Sequence, residues 1–142
     1  METYNQLRLL DKKNGIINWM WDNKVGVWCG WGTESLPTQN LSDYLGGYFV
    51  VKFTGNCQGR LPQVKFIDME GTDTNLVNFD SFLSGNPVTG AVVKIPLEKF
   101  GMDPKYSADP RQIKTIQFDA EYHSRQGELK IEYIGFTKQC HQ

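Results

Sequence analysis

Two carboxylates in the second half of the chain have the spacing that general acid and base chemistry requires. Asp119 and Glu121 alternate with Gln117 in the segment 113–122, IKTIQFDAEY, which has the period-2 pattern of a strand. On one strand face the two carboxylates lie roughly 7 Å apart, within the range of about 5 to 9.5 Å that glycoside hydrolysis uses. A solvated or ligand-binding strand face produces the same alternation. We favour that interpretation and keep acid and base catalysis as the alternative.

The four tryptophans of the chain all fall within residues 16–31. Broad, flat rings of this kind either fill a core or stack on a flat ligand. Trp28 lies between Gly26 and Gly30 on one face of a predicted strand, so no neighbour on that strand covers its ring. We therefore predict that Trp28 is a stacking platform. Trp31 follows it into a loop that is expected to border the same surface.

The sequence does not decide whether the other two tryptophans lie in the core or on the ligand-binding surface. Trp19 and Trp21 share one face of an alternating segment with Ile17, but the opposite face is partly apolar too. The pattern therefore does not decide which face is buried. If they are exposed, two rings placed two residues apart present consecutive platforms. Tyr48, which points away from the predicted core residue Phe49, is a further candidate for ligand contact.

The remaining reactive side chains do not form a recognisable site. The two histidines, His123 and His141, are far apart in sequence, and the three cysteines (Cys29, Cys57 and Cys140) are odd in number and widely spaced. This spacing indicates neither a metal-binding motif nor a disulfide framework. The nucleophile motif Gly-x-Ser-x-Gly and the glycine-rich phosphate loops are also absent from the sequence. We therefore expect no metal and no cofactor.

Length and charge narrow the class of protein further. The chain has 142 residues, which is enough for one core, and we predict a single domain over 1–142. Its 15 basic and 16 acidic residues leave a net charge of -1. Nucleic acid and anionic membranes are therefore not expected partners. No apolar run approaches the length of about 20 residues that a membrane-spanning helix needs.

The candidate residues named above lie in or near short segments in which apolar and polar residues alternate, and turn-forming residues separate these segments. They predict about eight to ten strands and no helix of ordinary length. The clearest strands are 24–31, 48–54, 63–69, 91–97, 113–122 and 129–136. Loops are expected at 32–46 and 78–90, with a turn at 55–62 and a hairpin closed by Gly127. The inward residues are predicted to be Phe49, Val51, Phe53, Val64, Phe66, Ile116, Phe118 and Ala120. This pattern predicts an all-β fold, an antiparallel two-sheet β-sandwich of the jelly-roll type.

Five segments also resemble the strands of a known family. In order they are YFVVKFTGN, VKFIDMEGT, AVVKIPLEKF, IKTIQFDAE and GELKIEYIGF. Over residues 48–137 their succession resembles bacterial non-catalytic carbohydrate-binding modules of the β-jelly-roll type. The resemblance implies a concave sheet whose cleft binds internal stretches of plant cell-wall β-glucans, including cellulose chains, mixed-linkage glucan and xyloglucan. The residues that match this site by position are Gln117, Asp119 and Glu121.

The sequence departs from this family at the expected calcium site. Many such modules hold a structural calcium with an acidic pair near the N-terminal strand and an Asp-Asp step in the final strand. Here Glu132 and Tyr133 stand where the final strand of the family has two consecutive aspartates. Residues 7–10, in the N-terminal region, lack the acidic pair. Because calcium takes about six to eight oxygen ligands, we expect no calcium site of this kind.

Three hypotheses about function follow. We favour a non-catalytic module that binds β-1,4-glucan, xyloglucan, mixed-linkage glucan or another hemicellulose and directs a covalently linked glycoside hydrolase to it. The alternatives are a small jelly-roll glycosidase that uses Asp119 and Glu121, and a protein-interaction domain whose aromatic residues cover a partner. The favoured hypothesis implies a monomeric domain of a longer, secreted, extracellular protein. Its candidate ligand-binding residues are Trp28, Trp31, Trp21, Trp19, Tyr48, Gln117, Asp119 and Glu121.

Overall fold

Two antiparallel β-sheets contain every strand of the residues that the structure describes. The structure is a computed structural model, and it describes residues 2–4, 8–9, 17–22, 29–32, 38–120 and 124–138. For residues 2–4, 8–9, 22, 29–31 and 124–125 the description covers the backbone alone.

The strands follow one another with short connections. In chain order they are β1 (Glu2–Tyr4), β2 (Arg8–Leu9), β3 (Ile17–Asp22), β4 (Cys29–Gly32), β5 (Tyr48–Gly59), β6 (Gln63–Asp68), β7 (Val77–Asn78), β8 (Leu83–Asn86), β9 (Gly90–Pro96), β10 (Ile113–Ala120) and β11 (Ser124–Thr137). The five-stranded sheet has the order β1-β4-β10-β6-β7, and the six-stranded sheet has the order β2-β3-β11-β5-β9-β8. This arrangement confirms the predicted all-β, two-sheet antiparallel sandwich of the jelly-roll type.

The helical segments of the described residues are short 3-10 turns. They are Ser42–Tyr44, Phe79–Phe82, Leu97–Phe100 and Pro110–Gln112. Within this part of the chain, none of them has the length or the apolar character to cross a membrane.

Alternation along the strands decides which side chains enter the core. All the residues predicted to point inward are buried, and the rings of the two sheets meet between them. Phe49 of β5 lies 5.3 Å from Phe66 of β6 and 6.4 Å from Phe118 of β10, measured between ring centroids. Phe66 also stacks on Phe100 at 4.1 Å. Aromatic packing between the sheets therefore leaves the alternate residues of each strand on an outer face.

Two predicted turns are wrong, and in both cases a glycine lies inside a strand. β5 continues through residues 55–59, where Gly55 pairs with Leu129 of β11. A Cβ atom added to Gly55 would lie 2.1 Å from the carbonyl oxygen of Glu128. Gly127, which was expected to close a hairpin, lies within β11 opposite Trp21 and Cys57. These glycines permit a close approach of neighbouring atoms and do not reverse the chain.

The predicted loop at 78–90 is also partly wrong. It contains the turn Phe79–Phe82 and strand β8, which pairs with β9 as a hairpin. Asn86 closes this hairpin, because its carbonyl oxygen accepts a hydrogen bond from the backbone N–H of Thr89 at 3.1 Å. Its side-chain oxygen accepts another from the backbone N–H of Val88 at 2.9 Å. Turn-forming residues dominate this segment and conceal the short strand.

Candidate functional site

Polar side chains collect on the outer face of the five-stranded sheet. In the β10–β6 ladder Gln117 pairs with Lys65 and Asp119 pairs with Gln63. Cross-strand partners in an antiparallel ladder share one face of the sheet. The next strand, β7, adds Asn78 opposite Gln63. We call this set the polar face: Gln63, Lys65, Asn78, Gln117 and Asp119.

Hydrogen bonds fix two of the amides on the polar face. The Nε2 atom of Gln117 donates to Oδ1 of Asp119 at 2.9 Å. The Nε2 atom of Gln63 donates to Oδ1 of Asn78. Among the described residues, the buried Oε1 atom of Gln63 has no donor. The polar face therefore presents amide groups that are held in fixed orientations.

The polar face is recessed. Asp119 is only 3% exposed, whereas Gln117, Lys65, Gln63 and Asn78 are half-buried. Sequence alternation placed Asp119 on the outer face correctly, but a carboxylate this deeply buried offers little surface to a ligand. Its contact with Gln117 indicates a positioning role, in which the carboxylate holds the amide in one orientation.

Strand β4 borders the polar face with two glycines. Gly30 pairs with Asp119, and Gly32 pairs with Gln117. These two positions supply no side chain beside the amide of Gln117. A Cβ atom added to Gly32 would lie 3.0 Å from Cγ2 of Thr115, which is a tight contact. The space next to Gln117 on this strand therefore depends on glycine.

Two loops form one end of the polar face, and one buried carboxylate ties them together. Oδ1 of Asp68 accepts hydrogen bonds from the backbone N–H groups of Glu70 and Thr72, and Oδ2 accepts one from the backbone N–H of Asp109, each at 2.9 Å. Ser107 Oγ also donates to the carbonyl oxygen of Asp73 at 3.3 Å. The loops 69–73 and 101–109 are therefore fixed to each other.

The same loops carry exposed side chains to this end of the polar face. Asp73 forms an ion pair with Lys65, with 2.8 Å between Nζ and Oδ2. Tyr106 is 79% exposed, and Lys105 Nζ lies 5.2 Å from its ring centroid. Alternation with the inward residues Val64 and Phe66 places Gln63 and Lys65 on an outer face, but the sequence analysis did not assign them to the site. It missed Asn78, Asp73 and Tyr106, because only long-range pairing brings them there.

Three titratable groups outside the polar face have shifted pKa values, and two of them, Asp109 and Arg111, shift each other. The Arg111 guanidinium donates two hydrogen bonds to the Asp109 carboxylate, at 3.0 and 2.8 Å. Together with the backbone N–H of Arg111, these bonds lower the pKa of Asp109. Burial raises the pKa of the Cys57 thiol, and the charge of Asp80 raises it further. A thiol with a raised pKa stays protonated near neutral pH, so Cys57 is not an activated nucleophile.

Trp19 and Trp21 are core residues, which decides between the two interpretations left open by the sequence and removes them from the candidate ligand-binding residues. They are 0% and 2% exposed, and their ring centroids lie 4.7 Å apart. Trp19 reaches across the sandwich to Phe118 of the five-stranded sheet, with 6.5 Å between centroids. A Cβ atom added to Gly127 would lie 2.3 Å from Cζ2 of Trp21, so the absence of a side chain at Gly127 makes room for the ring. Neither ring is available to a ligand.

Tyr48 lies on the opposite side of the molecule from the polar face. Its strand, β5, belongs to the six-stranded sheet, and its neighbour Phe49 points into the core. Alternation therefore directs Tyr48 to the outer face of that sheet, where Lys94 Nζ lies 4.1 Å from its ring centroid. The expectation that Tyr48 joins Gln117 and Asp119 in one cleft is wrong, because the core separates them.

Three other predicted residues are only partly covered by the structure or lie outside it. Trp28 and Glu121 fall outside the described residues. For Trp31 the backbone alone is described, and its ladder partner is Phe118. The proposed catalytic pair of Asp119 and Glu121 is therefore described at Asp119 only. Within the described residues, no group of three His, Cys, Asp or Glu side chains is arranged to hold a metal ion.

Several solved structures have a similar fold. A family 30 carbohydrate-binding module of a cellulosomal cellulase of Clostridium thermocellum matches with a TM-score of 0.71 and 21% identity, over 97% of this chain and 86% of that chain. A family 11 carbohydrate-binding module of another cellulosomal cellulase of Clostridium thermocellum matches with a TM-score of 0.61 and 13% identity, over 96% and 84%. A β-1,2-glucanase from Parabacteroides distasonis matches with a TM-score of 0.67 and 13% identity, over 88% of this chain but 19% of the enzyme.

These similarities concern the fold, because the sequence identities are low. No model of a protein family matches the chain, and no curated protein matches it in sequence. The sandwich seen here thus resembles carbohydrate-binding modules over 86% and 84% of those chains, and it matches 19% of a longer enzyme.

Proposed function

We propose that the chain is a non-catalytic module that binds a plant cell-wall β-glucan on the polar face, either β-1,4-glucan, xyloglucan or mixed-linkage glucan. The observation that carries this proposal is the row of half-buried amides, in which Asp119 fixes the Gln117 amide at 2.9 Å. The similarity of the fold to carbohydrate-binding modules supports the same conclusion.

The chemistry of the polar face suits a sugar chain. Hydroxyl groups both donate and accept hydrogen bonds, and an amide side chain does the same with fixed geometry. With Nε2 bound to Asp119, Gln117 offers Oε1 to a donor. Lys65 adds an ammonium group, which donates hydrogen bonds and accepts none. Ligand hydroxyl groups therefore meet both kinds of partner in a recess.

An aromatic platform would complete this site, and Trp28 is the residue that we propose for it. Sequence alternation predicts that Trp28 shares a face with Gly30, and Gly30 is the ladder partner of Asp119. A tryptophan there would stack on the C–H face of a sugar beside the amide row. Glu121 is proposed for the same surface on its alternation with Asp119. We leave Trp31 out of the proposal, because its ladder partner Phe118 belongs to the core.

The proposal extends to the biological setting of the domain. A module of this kind concentrates a linked enzyme on an insoluble polymer. We therefore propose that it acts as a monomer in a secreted, extracellular protein with a covalently attached glycoside hydrolase. The module itself is proposed to carry out no chemistry.

Native affinity electrophoresis tests the proposal directly. Gels that contain xyloglucan, mixed-linkage glucan or hydroxyethylcellulose are expected to retard the protein, and gels that contain mannan or no polymer serve as controls. Incubation with the same polymers is expected to release no reducing sugar. If none of the β-glucans retards the protein, or if reducing sugar is released, the proposal is wrong.

A matched pair of substitutions locates the binding surface. Gln117→Ala removes an amide from the polar face and is expected to weaken glucan binding about two- to tenfold, the effect of one lost hydrogen bond. Gln58→Ala removes an exposed amide from the six-stranded sheet and is expected to leave binding unchanged. Trp28→Ala should abolish retardation while the melting temperature stays the same. If Gln117→Ala and Gln58→Ala lose the same amount of glucan affinity, the glucan does not bind on the polar face.

A further inference from the structure

A second surface, on the outer face of the six-stranded sheet, has a different chemistry from the polar face. In the β5–β11 ladder Lys52 pairs with Tyr133 and Val50 pairs with Gly135. In the β5–β9 ladder Val50 also pairs with Lys94. We call this set the Tyr–Lys face: Tyr48, Val50, Lys52, Lys94, Tyr133 and Gly135.

Each tyrosine of the Tyr–Lys face is paired with a lysine. Lys94 Nζ lies 4.1 Å from the ring centroid of Tyr48, and Lys52 Nζ lies 5.4 Å from that of Tyr133. Both distances are within the range of a cation–π contact. The contacts hold the ammonium groups close to the rings, so that charge and apolar surface are presented together.

The ring of Tyr133 lies along the sheet. A Cβ atom added to Gly135 would lie 2.3 Å from the hydroxyl oxygen of Tyr133, so that ring occupies the space above the glycine. Val50 points to the outer face but is only 6% exposed, which means that its neighbours cover it. Tyr133 and Val50 are therefore packed against their neighbours on the Tyr–Lys face.

The two ammonium groups have no carboxylate partner in the described part of the chain. The ion pairs found there join Lys65 to Asp73 and Arg111 to Asp109. Lys52 and Lys94 are diagonal neighbours on adjacent strands, with Cα atoms about 7 to 8 Å apart. Among the described residues, a chain with a net charge of -1 thus places two ammonium groups without a carboxylate partner next to the half-buried ring of Tyr48 and the exposed ring of Tyr133.

We propose that the Tyr–Lys face is a second polysaccharide-binding surface and that it selects polymers of uronic acid. A uronate residue combines a C–H face, which a tyrosine ring contacts, with a carboxylate, which a lysine ammonium binds. A neutral glucan lacks the carboxylate and leaves both ammonium groups without a partner. Tyr48 lies on β5, and Tyr133 lies on the neighbouring strand β11 opposite Lys52. Their backbone positions are therefore offset by four residues along the strand direction, about 13 Å. A polymer that runs along the strands would contact both rings.

Native affinity electrophoresis in gels that contain polygalacturonate tests this proposal. The protein is expected to be retarded by polygalacturonate and not by highly methyl-esterified pectin, which has the same backbone without free carboxylates. Increasing salt should reduce the retardation. If polygalacturonate does not retard the protein, the proposal is wrong. The tyrosine–lysine pairs would then have a structural role on the sheet surface and no ligand.

A charge-matched pair of double variants identifies the surface. Lys52→Gln/Lys94→Gln is expected to weaken polygalacturonate binding about tenfold, the effect of two lost surface ion pairs. Lys99→Gln/Lys114→Gln removes two exposed lysines elsewhere and is expected to change it little. Equal losses in both double variants would indicate attraction to net charge alone and would overturn the proposal. Equal retardation of the wild-type protein by poly-glutamate would do so too.

The neutral β-glucan gels separate this proposal from the previous one. Lys52→Gln/Lys94→Gln should be retarded in xyloglucan as strongly as the wild-type protein, because the core lies between the two faces. A loss of xyloglucan binding in this variant would show that the Tyr–Lys face is not an independent surface.

Discussion

Strand β11 has a glycine covered by an aromatic ring on each of its two faces. On the inner face Trp21 of the neighbouring strand β3 covers Gly127, whereas on the outer face Tyr133 of β11 itself covers Gly135. A Cβ atom at either glycine would lie 2.3 Å from the aromatic side chain. Trp21 is 2% exposed, however, and Tyr133 is 43% exposed. The same local arrangement thus fills the core on one face and leaves a ring available to a ligand on the other.

Removal of the inner ring is expected to have the largest effect. Trp21→Ala should lower the free energy of unfolding by about 3 to 5 kcal/mol, because it leaves a cavity beside Trp19. Tyr133→Ala is the control from the outer face and should cost about 1 kcal/mol or less. Urea unfolding followed by far-UV circular dichroism measures both values. Similar losses in the two variants would mean that the outer ring also supports the fold.

Addition of one methyl group beneath the inner ring is expected to have an intermediate effect. In Gly127→Ala the new Cβ atom would meet the Trp21 ring at 2.3 Å and Cys57 Cβ at 2.8 Å. Neither group has free space in the core, so we expect a loss of about 1 to 3 kcal/mol. The cost should fall when Trp21→Leu is introduced as well. If the cost is unchanged in the double variant, the clash with Trp21 is not its cause.

The same substitution beneath the outer ring is expected to have the smallest effect on stability. In Gly135→Ala the new Cβ atom meets the hydroxyl end of Tyr133, which rotates into solvent. We expect a cost below about 1 kcal/mol together with the loss of the Lys52 contact and weaker retardation by polygalacturonate. Loss of the ring-current shift on the Lys52 side chain, measured by NMR, checks the displacement. A stability cost equal to that of Gly127→Ala would contradict it.

The period-2 pattern of the sequence predicts which side of a strand faces the core. Phe49, Phe66 and Phe118 alternate with polar residues and are all buried as predicted. The pattern is ambiguous for Trp19 and Trp21, because both faces of β3 carry apolar residues. Packing of Trp19 against Phe118, which lies 99 positions further along the chain, decides the question.

Alternation does not identify the sheet to which an outward residue belongs. Tyr48 and Gln117 both point away from the core, but β5 and β10 lie in different sheets. Sheet membership is set by pairing between distant segments, and no local pattern encodes it. The loops at the end of the polar face depend on long-range contacts in the same way, since the backbone of Asp109 donates to Asp68 across 41 positions.

Asp68 makes the end of the polar face suitable for protein engineering. Its carboxylate binds backbone N–H groups of both adjoining loops, so the loop conformation does not require particular side chains at the exposed positions. Met69 and Tyr106 are two such positions. A library that varies these two side chains and retains Asp68 would diversify the contacts offered to a polymer while the two sheets stay as they are. Under the proposed function, variants with different carbohydrate specificity are expected from such a library on a constant scaffold.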